Sequence, residues 1–169
     1  MRSLIVLAVT ASCLAAGACA RSAGSGPQAA EWGVDRLGRL CRATRVTDTD
    51  VVAIDLSREP GASAVTVNAD GLRAVGAIVQ DTLYPGIGLT VDGEPVRAIA
   101  SGSLTGRGLP GFAFPFNARQ LVRRHPDGFA LAIVRNGATL YTADLRDTAP
   151  IFRQLAECDR GLLLNRSGS

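Results

Sequence analysis

The sequence predicts a mainly β domain: a β-sandwich or partly closed antiparallel barrel, with one short helix and a C-terminal helix. Three observations carry this. Short runs of β-branched and apolar residues recur between clusters of Gly, Pro, Asn and Asp. An Asn-Gly pair, Asn136-Gly137, separates two such runs. Helical periodicity is confined to two segments in the last third of the chain.

The elements follow in order. "VVAIDLS" (Val51–Ser57) and "SAVTVNA" (Ser63–Ala69) read as strands across the turn-rich "REPGA". "AVGAIVQ" (Ala74–Gln80) and "IGLTV" (Ile87–Val91) are further strand candidates, with "YPG" between them. "DGE" then leads into "PVRAIAS" (Pro95–Ser101), where Val96, Ala98 and Ala100 alternate with Arg97, Ile99 and Ser101. The clearest unit is a hairpin of "FALAIVR" and "ATLYTA". Asn136-Gly137 accepts the positive φ values of a type I′ turn, which sets Arg135 opposite Ala138, Ile133 opposite Leu140 and Leu131 opposite Thr142. Both faces of this hairpin are largely apolar, so an interior position in the sheet is expected rather than an edge.

"NARQLVRR" reads as a short helix capped by Asn117 and stopped by Pro126 and Gly128. A longer helix opens at Asp147 or Thr148, with Pro150 in its first turn, and runs to about Asp159. Ile151, Leu155 and Cys158 form its buried stripe.

The chain opens with Met1-Arg2-Ser3, then the thirteen-residue apolar run Leu4–Ala16, then small residues. A bilayer-spanning helix needs about 20 residues. The pattern is a secretory signal. Three cuts are open: ahead of Cys19 by ordinary signal peptidase, after Ala20, or lipoprotein processing with lipid on Cys19. Gly17-Ala18-Cys19 resembles the end of a bacterial lipobox, with Ala16 where Leu is usual. The following "ARSAGSGPQAAE" behaves as a flexible tether. The expected organisation is a signal peptide over 1–18, a tether over 19–30, a single β-rich domain over 31–164 and a polar tail over 165–169. Of four cysteines, Cys13 leaves with the signal, and Cys41 and Cys158 can pair in an oxidising envelope.

About 150 residues remain after processing, enough for a real core. With Arg2 removed, seventeen arginines stand against fifteen carboxylates. There is no clustered basic stripe, so nucleic acid is not an expected partner. There is no Lys, which excludes Lys nucleophiles and Schiff bases.

No Gly-x-Ser-x-Gly elbow and no phosphate-binding loop with Lys occur. "SGSLTGRGLPG" (Ser101–Gly111) reads as a mobile loop that can carry binding. His125 is the single histidine and falls in the turn "HPDG", so no metal site is expected. "TDTD" (Thr47–Asp50) and "DGE" (Asp92–Glu94) place carboxylates in turns. The candidate binding residues are Arg119, Arg123 and Arg124, which could meet an anionic lipid, glycan or partner protein, and Phe112, Phe114 and Phe116 of "GFAFPF", as core or as a hydrophobic contact.

Two stretches carry a resemblance: "EWGVDRLGRLCRATR", a tryptophan ahead of a cysteine-bearing early strand, and "LAIVRNGATLYTADLRDTAPIFRQLAEC", a late hairpin and a helix ending in cysteine. The chain resembles exported alphaproteobacterial proteins distantly similar to the invasion-associated locus B family. The resemblance implies a β-rich envelope protein. It carries no catalytic residues; Trp32, Cys41 and Cys158 match, in packing and disulfide roles. The expectation is a non-catalytic envelope lipoprotein, without cofactor, that binds a partner or maintains the surface. The alternative is a periplasmic carrier or sensor of a small apolar or anionic ligand. An envelope hydrolase is the third class.

Overall fold

The computed structural model describes residues 30–59, 61–146 and 148–164. The expected export signal, Cys19, almost all of the expected tether, the expected polar tail and the expected helix start at Asp147 lie outside the described residues. Eleven strands form two antiparallel sheets, and both contribute to one apolar core. The arrangement is sandwich-like, with no closed barrel.

The large sheet is built from β1 (Glu31–Leu37), β2 (Leu40–Val46), β3 (Asp50–Ser57), β4 (Ala64–Ala69), β5 (Leu83–Tyr84), β8 (Ala100–Leu104) and β9 (Pro110–Pro115). The small sheet holds β6 (Ile87–Val91), β7 (Glu94–Val96), β10 (Ala130–Arg135) and β11 (Ala138–Asp144). The orders are β1-β2-β3-β4-β9-β8-β5 and β11-β10-β6-β7. A short helix α1 (Ala118–Arg124), a 3₁₀ helix (Asp70–Val75) and a C-terminal helix α2 (Ala149–Leu164) complete the fold.

Register explains the core. Ala43, Ile54, Val65 and Phe114 lie side by side across β2, β3, β4 and β9, and Val52, Val67 and Phe112 form the adjoining row. All seven are fully buried. Because side chains alternate along a strand, these rows share the face turned inward. The small sheet answers with Leu131 opposite Val91 and Ile133 opposite Leu89. Cys41 sits on the inward face of β2 and is bonded to Cys158 of α2, with Cα atoms 6.0 Å apart. The disulfide docks α2 against the first strands.

Several expectations need correction. Ala74–Gln80 is not a strand. The 3₁₀ helix ends at Val75, Gly76 turns the chain at φ 105°, and Asp81 sits at φ 60°. The chain then runs irregularly beside β8, where Gly102 accepts from the Asp81 amide and donates to the Thr82 carbonyl. Pro95–Ser101 is not one strand either: the chain leaves the small sheet after Val96 and enters the large sheet at Ala100.

The hairpin forms with Asn136 at φ 51° and Gly137 at φ 80°, and Arg135 does pair with Ala138. A bulge between Ile133 and Val134 then shifts the pairing by one residue. Ile133 faces Tyr141 and Leu131 faces Ala143. An extra residue in one strand flips every later side chain to the other face, which turns Tyr141 inward. The hairpin is not interior as a whole: β10 lies between β11 and β6, and β11 is an edge.

The Ser101–Gly111 stretch is mostly strand, with only Thr105–Leu109 between β8 and β9. Its glycines serve close packing. A Cβ on Gly102 would collide with the Val79 carbonyl, and one on Gly111 with the Val67 carbonyl. The helix α2 extends past Asp159 to Leu164. Its deepest apolar side chains are Phe152 and Leu155, while Ile151 and Cys158 are half-buried.

Candidate functional site

The candidate site is organised by α1. Asn117 caps it by accepting the Gln120 amide at 3.4 Å. Ala118, Leu121 and Val122 bury one side. Residues four apart share a face of a helix, so Arg119 and Arg123 point one way while Gln120 and Arg124 point another. The expected cluster of three arginines is thereby divided.

Arg119 is committed to the fold. Its Nε and a terminal nitrogen hold the two carboxylate oxygens of Asp159 at 2.8 and 2.9 Å. Arg58 donates to the same carboxylate at 3.2 Å and to the Asp159 backbone carbonyl at 2.8 Å. Asp159 is buried, and the two guanidinium groups compensate its charge. This clamp joins α1, α2 and the end of β3. Arg123 lines a small groove of about 130 Å³ with Leu56, Val122 and Arg160.

Arg124 lines a larger cleft of about 370 Å³ between α1 and the β6–β7 hairpin. Arg97, His125, Gln120 and Glu94 supply its other long polar side chains, over an apolar floor that includes Phe116 and Leu121. Of the three phenylalanines singled out above, Phe116 alone reaches this cleft. Phe112 and Phe114 are wholly buried, and Phe112 packs edge-on against Tyr84 at 5.2 Å.

His125 is placed by a carboxylate. Its Nδ1 lies 3.0 Å from Asp92 Oδ2, and its ring packs edge-on against Phe129 at 5.8 Å. Asp92 opens the two-residue turn between β6 and β7, where Asp92 and Gly93 both take positive φ. The Asp92 amide donates to the Ala130 carbonyl at 2.8 Å, and its Oδ1 accepts the Ala130 amide at 2.9 Å. That amide, with His125 and Arg146 nearby, holds the Asp92 carboxyl below the usual carboxylate range.

The arrangement can bind: long polar side chains line the cleft beside a histidine held at Nδ1. The cleft lining holds no Ser, Thr, Cys or Lys among the described residues. No group of three metal-ligating side chains forms among the described residues. No helix among them is long and apolar enough to cross a membrane. Sequence reasoning missed Arg97 and the Asp92–His125 pair. The Asp-Gly turn was visible, but its partner lies 33 residues further on, brought in by the β6–β10 pairing.

With this geometry in hand, the comparisons with known proteins add no family: no family model, no curated protein and no solved structure matches the chain.

Proposed function

We propose that this chain is an exported envelope protein, held to the membrane through lipid on Cys19, that acts by binding rather than by catalysis. The observation that supports this most is the Cys41–Cys158 disulfide, which spans 117 residues and buries Cys41 completely. Such bonds persist in oxidising compartments outside the cytosol. The signal-like start, the lipobox-like Gly17-Ala18-Cys19 and the polar tether add the route out and the anchor. The resemblance to the locus B family belongs to the same reading. Partners on this view are envelope proteins, anionic lipids or glycans.

The intact mass of protein from its native membrane fraction, before and after reduction, tests the proposal. The expected species begins at Cys19 with diacylglycerol and acyl mass, and gains two hydrogens on reduction. A chain beginning at Arg21 without lipid would overturn the anchor and favour a soluble carrier. Free thiols at both Cys41 and Cys158 in native protein would overturn the export reading.

A further inference from the structure

We infer that the cleft between α1 and the β6–β7 hairpin binds a small oxyanion, a phosphate or carboxylate group, held by Arg97, Arg124 and His125. The inference rests on the reading of the protein as a binder, and it gives that reading a site and the chemical group the site takes.

The cations are uncommitted. Arg119, Arg58, Arg42 and Arg45 are each spent on an aspartate within the fold. Arg97 and Arg124 make no ion pair among the described residues, yet both line one cleft. A guanidinium offers a planar fork of donors that matches the geometry of an oxyanion. Glu94 is the single carboxylate of the lining, so the two arginines leave the cleft positive.

The histidine is pre-positioned. Asp92 occupies its Nδ1 at 3.0 Å, which leaves Nε2 to meet a ligand: the neutral ring accepts there from a protonated phosphate oxygen, and the protonated ring donates to an ionised one. Asp92 in turn exchanges two hydrogen bonds with Ala130 at the start of β10. The strand before Asp92 and the strand that begins at Ala130 are paired in the small sheet, so Asp92 stands beside His125 before any ligand arrives. Holding His125 in advance spares the cost of ordering that ring on binding. Phe116 and Leu121 supply an apolar floor, which strengthens charge-assisted contacts above it.

The volume, about 370 Å³, accommodates a phosphoryl group with a modest attachment. A free anion and an anionic lipid headgroup share this chemistry. Titration calorimetry of the whole exported protein with inorganic phosphate, and flotation with phosphatidylglycerol against phosphatidylcholine vesicles, separate the two. A lipid anchor inserts in both kinds of vesicle, so only the difference between them reads the cleft.

Saturable phosphate binding is expected. Arg97→Gln and Arg124→Gln should each weaken it about tenfold, the loss of one charge-assisted contact. Arg123→Gln, in the groove on the other side of α1, should leave it unchanged. A preference for phosphatidylglycerol that the double variant abolishes would assign the anion to a headgroup. Phosphate binding without that preference would assign it to a diffusible ligand. No saturable phosphate binding, or binding indifferent to both substitutions, would overturn the inference and leave the anchor at Cys19 untouched. Should the double variant fail to fold, Arg97→Gln alone, in an exposed connection, carries the test.

Discussion

The Tyr141 hydroxyl donates to Asp50 Oδ2 at 2.8 Å, joining the edge strand of the small sheet to β3 of the large one. Arg45 grips the same carboxylate at 3.0 and 3.1 Å and donates to the Asp144 carbonyl at 3.2 Å. One aspartate therefore closes this side of the sandwich.

Burial first, and the Asp50 carboxylate second, push the Tyr141 hydroxyl well above its usual range. The sign follows. An unfolded tyrosine ionises near pH ~10 while the folded one stays neutral, so the contribution is whole below about pH 10 and is lost as pH rises above it. Tyr141→Phe should cost about 1–2 kcal/mol near neutrality. It should also flatten the alkaline decline. Urea midpoints taken between about pH 8 and about pH 11 read both effects.

Reduction of Cys41–Cys158 should lower stability by about 4–5 kcal/mol, because the bond closes a loop of 117 residues in the unfolded chain. Urea unfolding with and without reductant measures it, and the Cys41→Ala/Cys158→Ala double variant should match the reduced protein. A loss below about 1 kcal/mol would mean that packing alone docks α2.

Asp159→Asn leaves Arg58 and Arg119 without their shared charge. Both guanidinium groups keep some solvent contact, with side chains 28% and 22% exposed, so the expected cost is about 2 kcal/mol rather than that of a fully buried pair. A double-mutant cycle with Arg119→Met should return a coupling of about 1 kcal/mol or more.

Gly128 and Gly137 both sit at positive φ, yet they predict different outcomes. A Cβ at Gly128 would strike the Leu145 carbonyl and crowd the Thr148 hydroxyl. At Gly137 nothing lies within 4 Å. Gly137→Ala should cost about 1 kcal/mol, the backbone strain alone. Gly128→Ala should cost more than about 3 kcal/mol, or prevent folding, since backbone has to move. Thermal midpoints of the two variants, side by side, check the contrast.

What the sequence made legible was local. Asn136-Gly137, the Asn117 cap and the Val51–Ser57 and Ile87–Val91 strands depend on neighbours in the chain, and each stands in the structure. The cysteine pair was legible through parity, on the expectation of an oxidising compartment. The bulge at Ile133/Val134 was not, because turn chemistry sets the register only next to the turn. Ala74–Gln80 had the apolar content of a strand, but Gly76 and Asp81 bend it out of one. The Ser101–Gly111 glycines looked like loop residues, whereas two of them stand where neighbouring backbone leaves no room for a Cβ. At the site, three arginines close in sequence looked equivalent. Asp159, 40 residues from Arg119, takes one of them, and helical geometry separates the other two.

The disulfide between β2 and α2 also changes what a protease can do to this protein. The turns at Asp92-Gly93 and Asn136-Gly137 and the connection at Thr105–Leu109 all lie between the two cysteines. A single cut at any of them breaks the chain and releases nothing. The two pieces remain one covalent molecule, each still hydrogen-bonded into the same sheets. On a gel without reductant the nicked protein runs as a single species, and reductant divides it into two fragments whose sizes mark the cut.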